Sequence, residues 1–281
     1  TSSVGEVGGT SRPYFHGNIK IREDRLEIPL KTKKPTVFAI WNDLFHEDVP
    51  ESFIRAVFTV MMDDSVCLKH KFVVLTKRAA RMAEMLKRWE LEGIKFQREG
   101  ILLGVSVEDQ KTADERIPLL LATPAAKRFV SYEPALGSVD FTKIKFTKTT
   151  HLDLLRGWEY MTEADIRISK MHLSVDLLIM GGESGPGARP MHPDWPRAAR
   201  DYCQAAGVPF FFKQWGEYGT KAFIMTTGET VFRMFENFQQ WVNKRTTWIH
   251  GGVCIDKNGK ILKNGGDMKT AKYPVAICTT S

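Results

Sequence analysis

Asp43, Lys77, Glu108, Glu133, Glu183 and Lys213 each stand within three residues of the end of a short apolar run. Carboxylates and amines gathered in one place can hold a charged ligand or move a proton. Glu133, Glu183, Lys213 and Lys77 are therefore the candidate catalytic residues, and Gly181, Gly182, Glu183, Ser106, Glu108 and Asp43 the candidate ligand-binding ones. Trp41, Tyr132 and Trp215 lie near the same run ends and can stack on a base or a sugar. A structural alternative stands beside each assignment. Asp43 and Asp109 can cap helices, and Glu108, Glu133 and Glu183 can form a salt-bridge ring with Lys77, Arg78 and Lys213.

The runs themselves are VFAIW (37–41), FVVL (72–75), ILLGVSV (101–107), RFVSY (128–132), DLLIM (176–180) and PFFF (209–212). Near-continuous apolar runs are the pattern of strands covered on both faces. Their starts are 35, 29, 27, 48 and 33 residues apart, which suits β-loop-α units. Helices are predicted between them, over 52–62, 78–91, 110–121 and 194–206, the last with Asp194 as N-cap. A further helix is expected over 161–172, because Asp165 follows Thr162 at cap spacing. Ligands of such α/β folds gather at the C-terminal ends of the strands. That rule turns six separate run ends into one expected rim.

The stretch MGGESGPGARP (180–190) is the most informative. Gly181 and Gly182 permit a sharp turn or a close backbone approach, and successive amides in such a turn can cradle an anion. The stretch is neither a dinucleotide fingerprint nor a phosphate-binding P-loop. Glu183 can accept an ammonium or a hydroxyl from there; a tight structural loop is the alternative. Glu133 and Glu183 can also be read as the carboxylate pair of a metal-independent hydrolase. His46 and His192 are isolated, and no nucleophile elbow or H-E-x-x-H motif occurs.

With 40 Lys plus Arg, 33 Asp plus Glu and a net charge of +7, the chain can meet a polyanion, but its composition does not select one. Lys31, Lys33 and Lys34 form a basic patch that reads most simply as a solvated face. The four cysteines, Cys67, Cys203, Cys254 and Cys278, make no CxxC pair and no compact metal signature. With no membrane-length apolar run, a reducing cytoplasm is the expected location. Three parts are expected along the chain: a flexible 1–19, an α/β partial barrel over 20–218, and a β-rich appendage over 219–281. Hairpins in the appendage are predicted around Gly228 and Asn258-Gly259.

The stretches WNDLFHEDVP (41–50), FVVLTKR (72–78), LLGVSVEDQ (102–110), SYEP (131–134), LLIMGGESGPGARPMHPDW (177–195) and GVPFFFKQWGEY (207–218) resemble, in this order, the phage-type Gp37/Gp68-like family, grouped as DUF5131. That family's opening resembles the cysteine loop of radical S-adenosylmethionine enzymes. The resemblance implies a partial, TIM-like α/β barrel that holds a [4Fe–4S] cluster and S-adenosylmethionine, with a nucleic acid or nucleotide as the candidate substrate. On it, Gly181, Gly182, Glu183, Ser106, Glu108 and Asp43 become cofactor-binding residues. The cluster cysteines are not among residues 1–19 and would stand upstream of Thr1. A degenerate barrel that only binds a nucleic acid or a partner protein is the other expectation.

Overall fold

The computed structural model describes residues 19–170, 174–185, 188–189, 191–192 and 194–216, together with the backbone of short strands on either side. All six apolar runs are strands: β1 Val37–Ile40, β2 Lys71–Thr76, β3 Ile101–Val107, β4 Lys127–Tyr132, β9 Leu177–Gly181 and β10 Phe210–Gln214. They form one sheet in the order β10-β9-β4-β3-β2-β1. Val37 pairs with Lys71, Phe72 with Ile101 and Leu178 with Phe210, all in parallel register. Helices α1 Glu51–Met62, α2 Ala79–Leu91, α3 Gln110–Ala122 and α4 Asp194–Ala206 connect them. The fold is α/β, with a six-stranded parallel sheet and a smaller antiparallel one. Asp194 is the first residue of α4 rather than its cap, and it pairs with Arg197 at 2.9 Å.

The chain divides into two compact units, Thr1–Val105 with Leu119–Phe129, and Ser106–Pro118 with Val130–Ser281. In the first, the apolar stripe of α2 packs as its spacing requires, with Met82, Met85, Leu86 and Trp89 buried. The ring of Phe58 meets Trp89 edge-on at 5.5 Å and Phe96 at 5.9 Å. Truncating such a ring to alanine removes about 3–5 kcal/mol. In the second unit, Tyr132 packs against Phe141 at 5.7 Å, and Leu152, Met180, Ala199 and Cys203 are buried.

The helix expected over 161–172 is not there. Residues 144–170 instead make a four-stranded antiparallel sheet, from β5 Ile144–Lys145, β6 Thr150–Asp153, β7 Trp158–Met161 and β8 Ile166–Lys170. The spacing of Thr162 and Asp165 belongs to the turn between β7 and β8, where Asp165 takes a left-handed φ of 51°. Ile166 and Ile168 alternate with Arg167 and Ser169, which is strand periodicity. Nearer the C-terminus, Phe223–Ile224 pairs with Thr230–Val231 and Cys254–Ile255 with Ile261–Leu262, both antiparallel. These are the two hairpins expected there. Among the described residues no helix is long and apolar enough to cross a membrane.

Candidate functional site

Three strands of the second unit end together. Glu133 follows β4, Gly181 closes β9, and Lys213 and Gln214 close β10. Lys213 Nζ donates to Glu133 Oε1 at 2.9 Å and to Oε2 at 3.1 Å. Gln214 Nε2 reaches Glu133 Oε1 at 3.3 Å and Ser184 Oγ at 3.0 Å. The Glu133 side chain is 17% exposed and that of Lys213 48%, so the carboxylate is the sheltered member of the pair.

The two glycines work by absence of a side chain. A Cβ at Gly181 would stand 2.9 Å from Glu133 Oε1, so glycine there makes room for the carboxylate. A Cβ at Gly182 would stand 1.9 Å from the carbonyl oxygen of Trp215, which no side chain tolerates. Gly182 N also donates to Gln214 O at 3.0 Å. The glycine pair thus closes the β9 and β10 ends on each other.

Glu183 turns to its own loop. Its Oε2 accepts from the backbone amide of Arg189 at 2.7 Å and from Arg189 Nε at 2.8 Å, and its Oε1 from Nη2 at 2.7 Å. The guanidinium is held above its ordinary pKa, chiefly by the hydrogen bond to Glu183. Glu108 pairs with Arg116 at 2.9 Å, and the same guanidinium nitrogen donates to the carbonyl of buried Ser106 at 2.8 Å. Asp109 does serve as a cap, since Thr112 N donates to its carboxylate at 2.8 Å. Burial, with the Asp109 charge adding to it, pushes the Tyr132 hydroxyl far above its usual pKa. That hydroxyl donates to the carbonyl of Gly137.

Asp43 and Lys77 belong to the first unit. Asp43, at a φ of 41°, accepts from the Thr76 hydroxyl, from Arg78 Nη1 at 2.6 Å and from the Lys77 amide at 3.3 Å. Arg81 adds bonds to the carbonyls of Phe45, His46 and Val49. Asp43 thus ties the loop after β1 to the end of β2. Lys77 is exposed.

Sequence reading did not single out Arg189, Arg116 or Ser184. Arg189 meets Glu183 six residues away through a loop, a distance that carries no periodic signal. Arg116 lies on α3 eight residues after Glu108, and only the return of the helix along its strand brings them together.

Among the described residues, no group of three or more His, Cys, Asp or Glu can hold a metal ion. Cys67 and Cys203 are buried free thiols belonging to different units. Burial pushes the Cys203 thiol up to about 12, against the thiolate that an iron ligand requires. The described residues therefore do not fit a [4Fe–4S] cluster.

Fold and site define an α/β protein with a charged, mixed-sign rim at the C-terminal ends of parallel strands. The chain belongs to the family described as Protein of unknown function (DUF5131), which residues 4–259 match. No curated protein and no solved structure matches it.

Proposed function

We propose that the chain is an enzyme whose rim at Glu133, Lys213, Gln214 and Ser184 takes the α-amino-acid end of a small molecule, S-adenosylmethionine in particular. The observation that carries this reading is the Glu133–Lys213 pair, 2.9 Å apart at two strand ends. A carboxylate beside an ammonium offers one partner to each charge of a zwitterion. An amino-acid group entering there exchanges the internal pair for two charge-assisted bonds of its own. Gln214 and Ser184, which bond each other at 3.0 Å, supply an amide and a hydroxyl for orientation. S-adenosylmethionine is the choice among amino acids because of the radical-enzyme resemblance, which also carries the finer fold assignment, a partial TIM-like barrel.

The test is calorimetric titration of the chain with S-adenosylmethionine, with methionine and S-adenosylhomocysteine beside it. Glu133→Gln should weaken binding by roughly 10–150-fold, the loss of one charge-assisted bond of about 1.5–3 kcal/mol. Glu183→Gln should act less on affinity and more on the loop, because Arg189 already occupies that carboxylate. Binding that survives Glu133→Gln moves the ligand away from this rim. If none of the three compounds binds, the enzyme reading fails and the barrel is a binding protein.

A further inference from the structure

We infer that the polar face of the antiparallel sheet, whose residues lie in the chain between Glu133 and Gly181, binds the phosphates of a single-stranded nucleic acid. Residues 143–152, KIKFTKTTHL, hold three lysines and a histidine and no carboxylate. The register lays basic and aromatic residues side by side: Lys145 pairs with His151, His151 with Tyr160, and Tyr160 with Arg167. Partners in register share a face, so this row crosses all four strands. His151 stacks on Tyr160 at 5.4 Å with the rings 5° from parallel, and the Arg167 guanidinium lies 4.0 Å over the ring of Trp158. A cavity of about 310 Å³ opens here, lined by Lys143, Lys145, Lys148, Thr147, Thr150 and His151 among others.

The acids offset this charge only in part, at Lys143 and His151. Asp165 stands 3.3 Å from His151 Nε2 and 3.8 Å from Lys143 Nζ. Asp153 is taken by Arg156 at 2.9 Å. Asp114 accepts the backbone amide of Lys145 at 3.0 Å, which leaves the ammonium of that lysine outside the bond. The hydroxyls of Thr147 and Thr150 lie 2.8 Å apart and can rotate a proton outward to an anion.

The spread of the cations selects the ligand. Lysines two positions apart on a strand stand about 7 Å apart, wider than one phosphate group, so they suit successive phosphates of a chain. The ring of Tyr160, in the same row as Lys145 and His151, supplies a flat face on which a base can stack, and a free phosphate would not use it. The residues differ from those of the rim and the proposal concerns binding without catalysis, so either proposal can fail alone.

The test is fluorescence anisotropy of labelled 12-mers of oligo-dT and oligo-U, in 50–200 mM salt. The variant Lys143→Ala/Lys145→Ala/Lys148→Ala should bind at least tenfold more weakly at 50 mM salt. Its plot of log affinity against log salt should lose about 2 from the slope, from three phosphates at ~0.7 each. Tyr160→Leu should weaken binding about fivefold or more. Lys31→Ala/Lys33→Ala/Lys34→Ala removes the same charge from the other unit and should stay within twofold of the parent chain. Thermal melts beside each titration identify a variant that fails to fold, and Lys148→Ala alone then replaces the triple, with a smaller loss expected. Equal loss in the two triple variants would reduce the effect to net charge and overturn the proposal. Displacement by pyrophosphate or polyglutamate as effective as by unlabelled oligonucleotide would overturn it too, as would a parent chain that binds neither 12-mer.

Discussion

Lys213 Nζ lies 2.9 Å from Glu133 Oε1 across 80 positions of sequence. The two residues end strands separated in the sheet only by β9, whose last residue is Gly181. Any side chain at that glycine would press on the carboxylate, so the pair and the glycine form one unit. The pair is half open to solvent on the lysine side, and its contribution to stability is correspondingly small. We expect a double-mutant cycle of Glu133→Gln and Lys213→Met, read by urea unfolding, to give a coupling of about 1 kcal/mol or less. A coupling of several kcal/mol would show that the pair holds the fold and is not free to exchange with a ligand.

Gly182→Ala should cost far more. Its Cβ would fall 1.9 Å from the Trp215 carbonyl oxygen, and backbone cannot swing aside as a side chain can. The expected loss is about 2–3 kcal/mol, at the upper end of the usual overpacking cost. The urea midpoint of the variant measures it, and a midpoint equal to that of the parent chain would mean that the two strand ends do not close as described.

Glu51 governs part of the acid limb of stability. Its carboxyl is held below the usual range first by the hydrogen bond from Arg88, then by that from Trp89 Nε1 at 2.8 Å. A carboxyl with a depressed folded pKa contributes stability that is present above its unfolded value, about 4.3, and is lost as pH falls through the folded value. Stability should therefore decline below about pH 5, and Glu51→Gln should flatten that decline. Thermal melts from pH 3 to pH 7 decide this, and parallel curves for parent and variant would remove Glu51 from the account.

Cys203 should resist alkylation in the folded chain. It is fully buried on α4, and burial pushes its thiol up to about 12, so the reactive thiolate is scarce at neutral pH. A raised thiol pKa also means that this group's contribution to stability falls as pH rises above the ordinary thiol value of about 8.5. Iodoacetamide followed by peptide mass analysis should leave the Cys203 peptide unlabelled at pH 8 and label it fully in urea. Rapid native labelling would show that α4 opens locally.

Local chemistry already determined the six strands and four of the helices. Runs such as ILLGVSV are short, apolar on both faces and rich in β-branched residues, which suits a buried strand. The stripe through Met82 and Trp89 likewise had one solution. The antiparallel sheet was harder to see, because Thr162 and Asp165 suit a helix start and a β-turn equally, and only pairing across strands distinguishes the two. Residue types at the strand ends marked out the rim, but their partners are a property of the folded chain. Glu133 found Lys213 because β4 and β10 both lie next to β9. Glu183 found Arg189 through a loop whose path no periodicity encodes. Charge and polarity are written residue by residue, whereas the choice of partner depends on distances that only the packed backbone supplies.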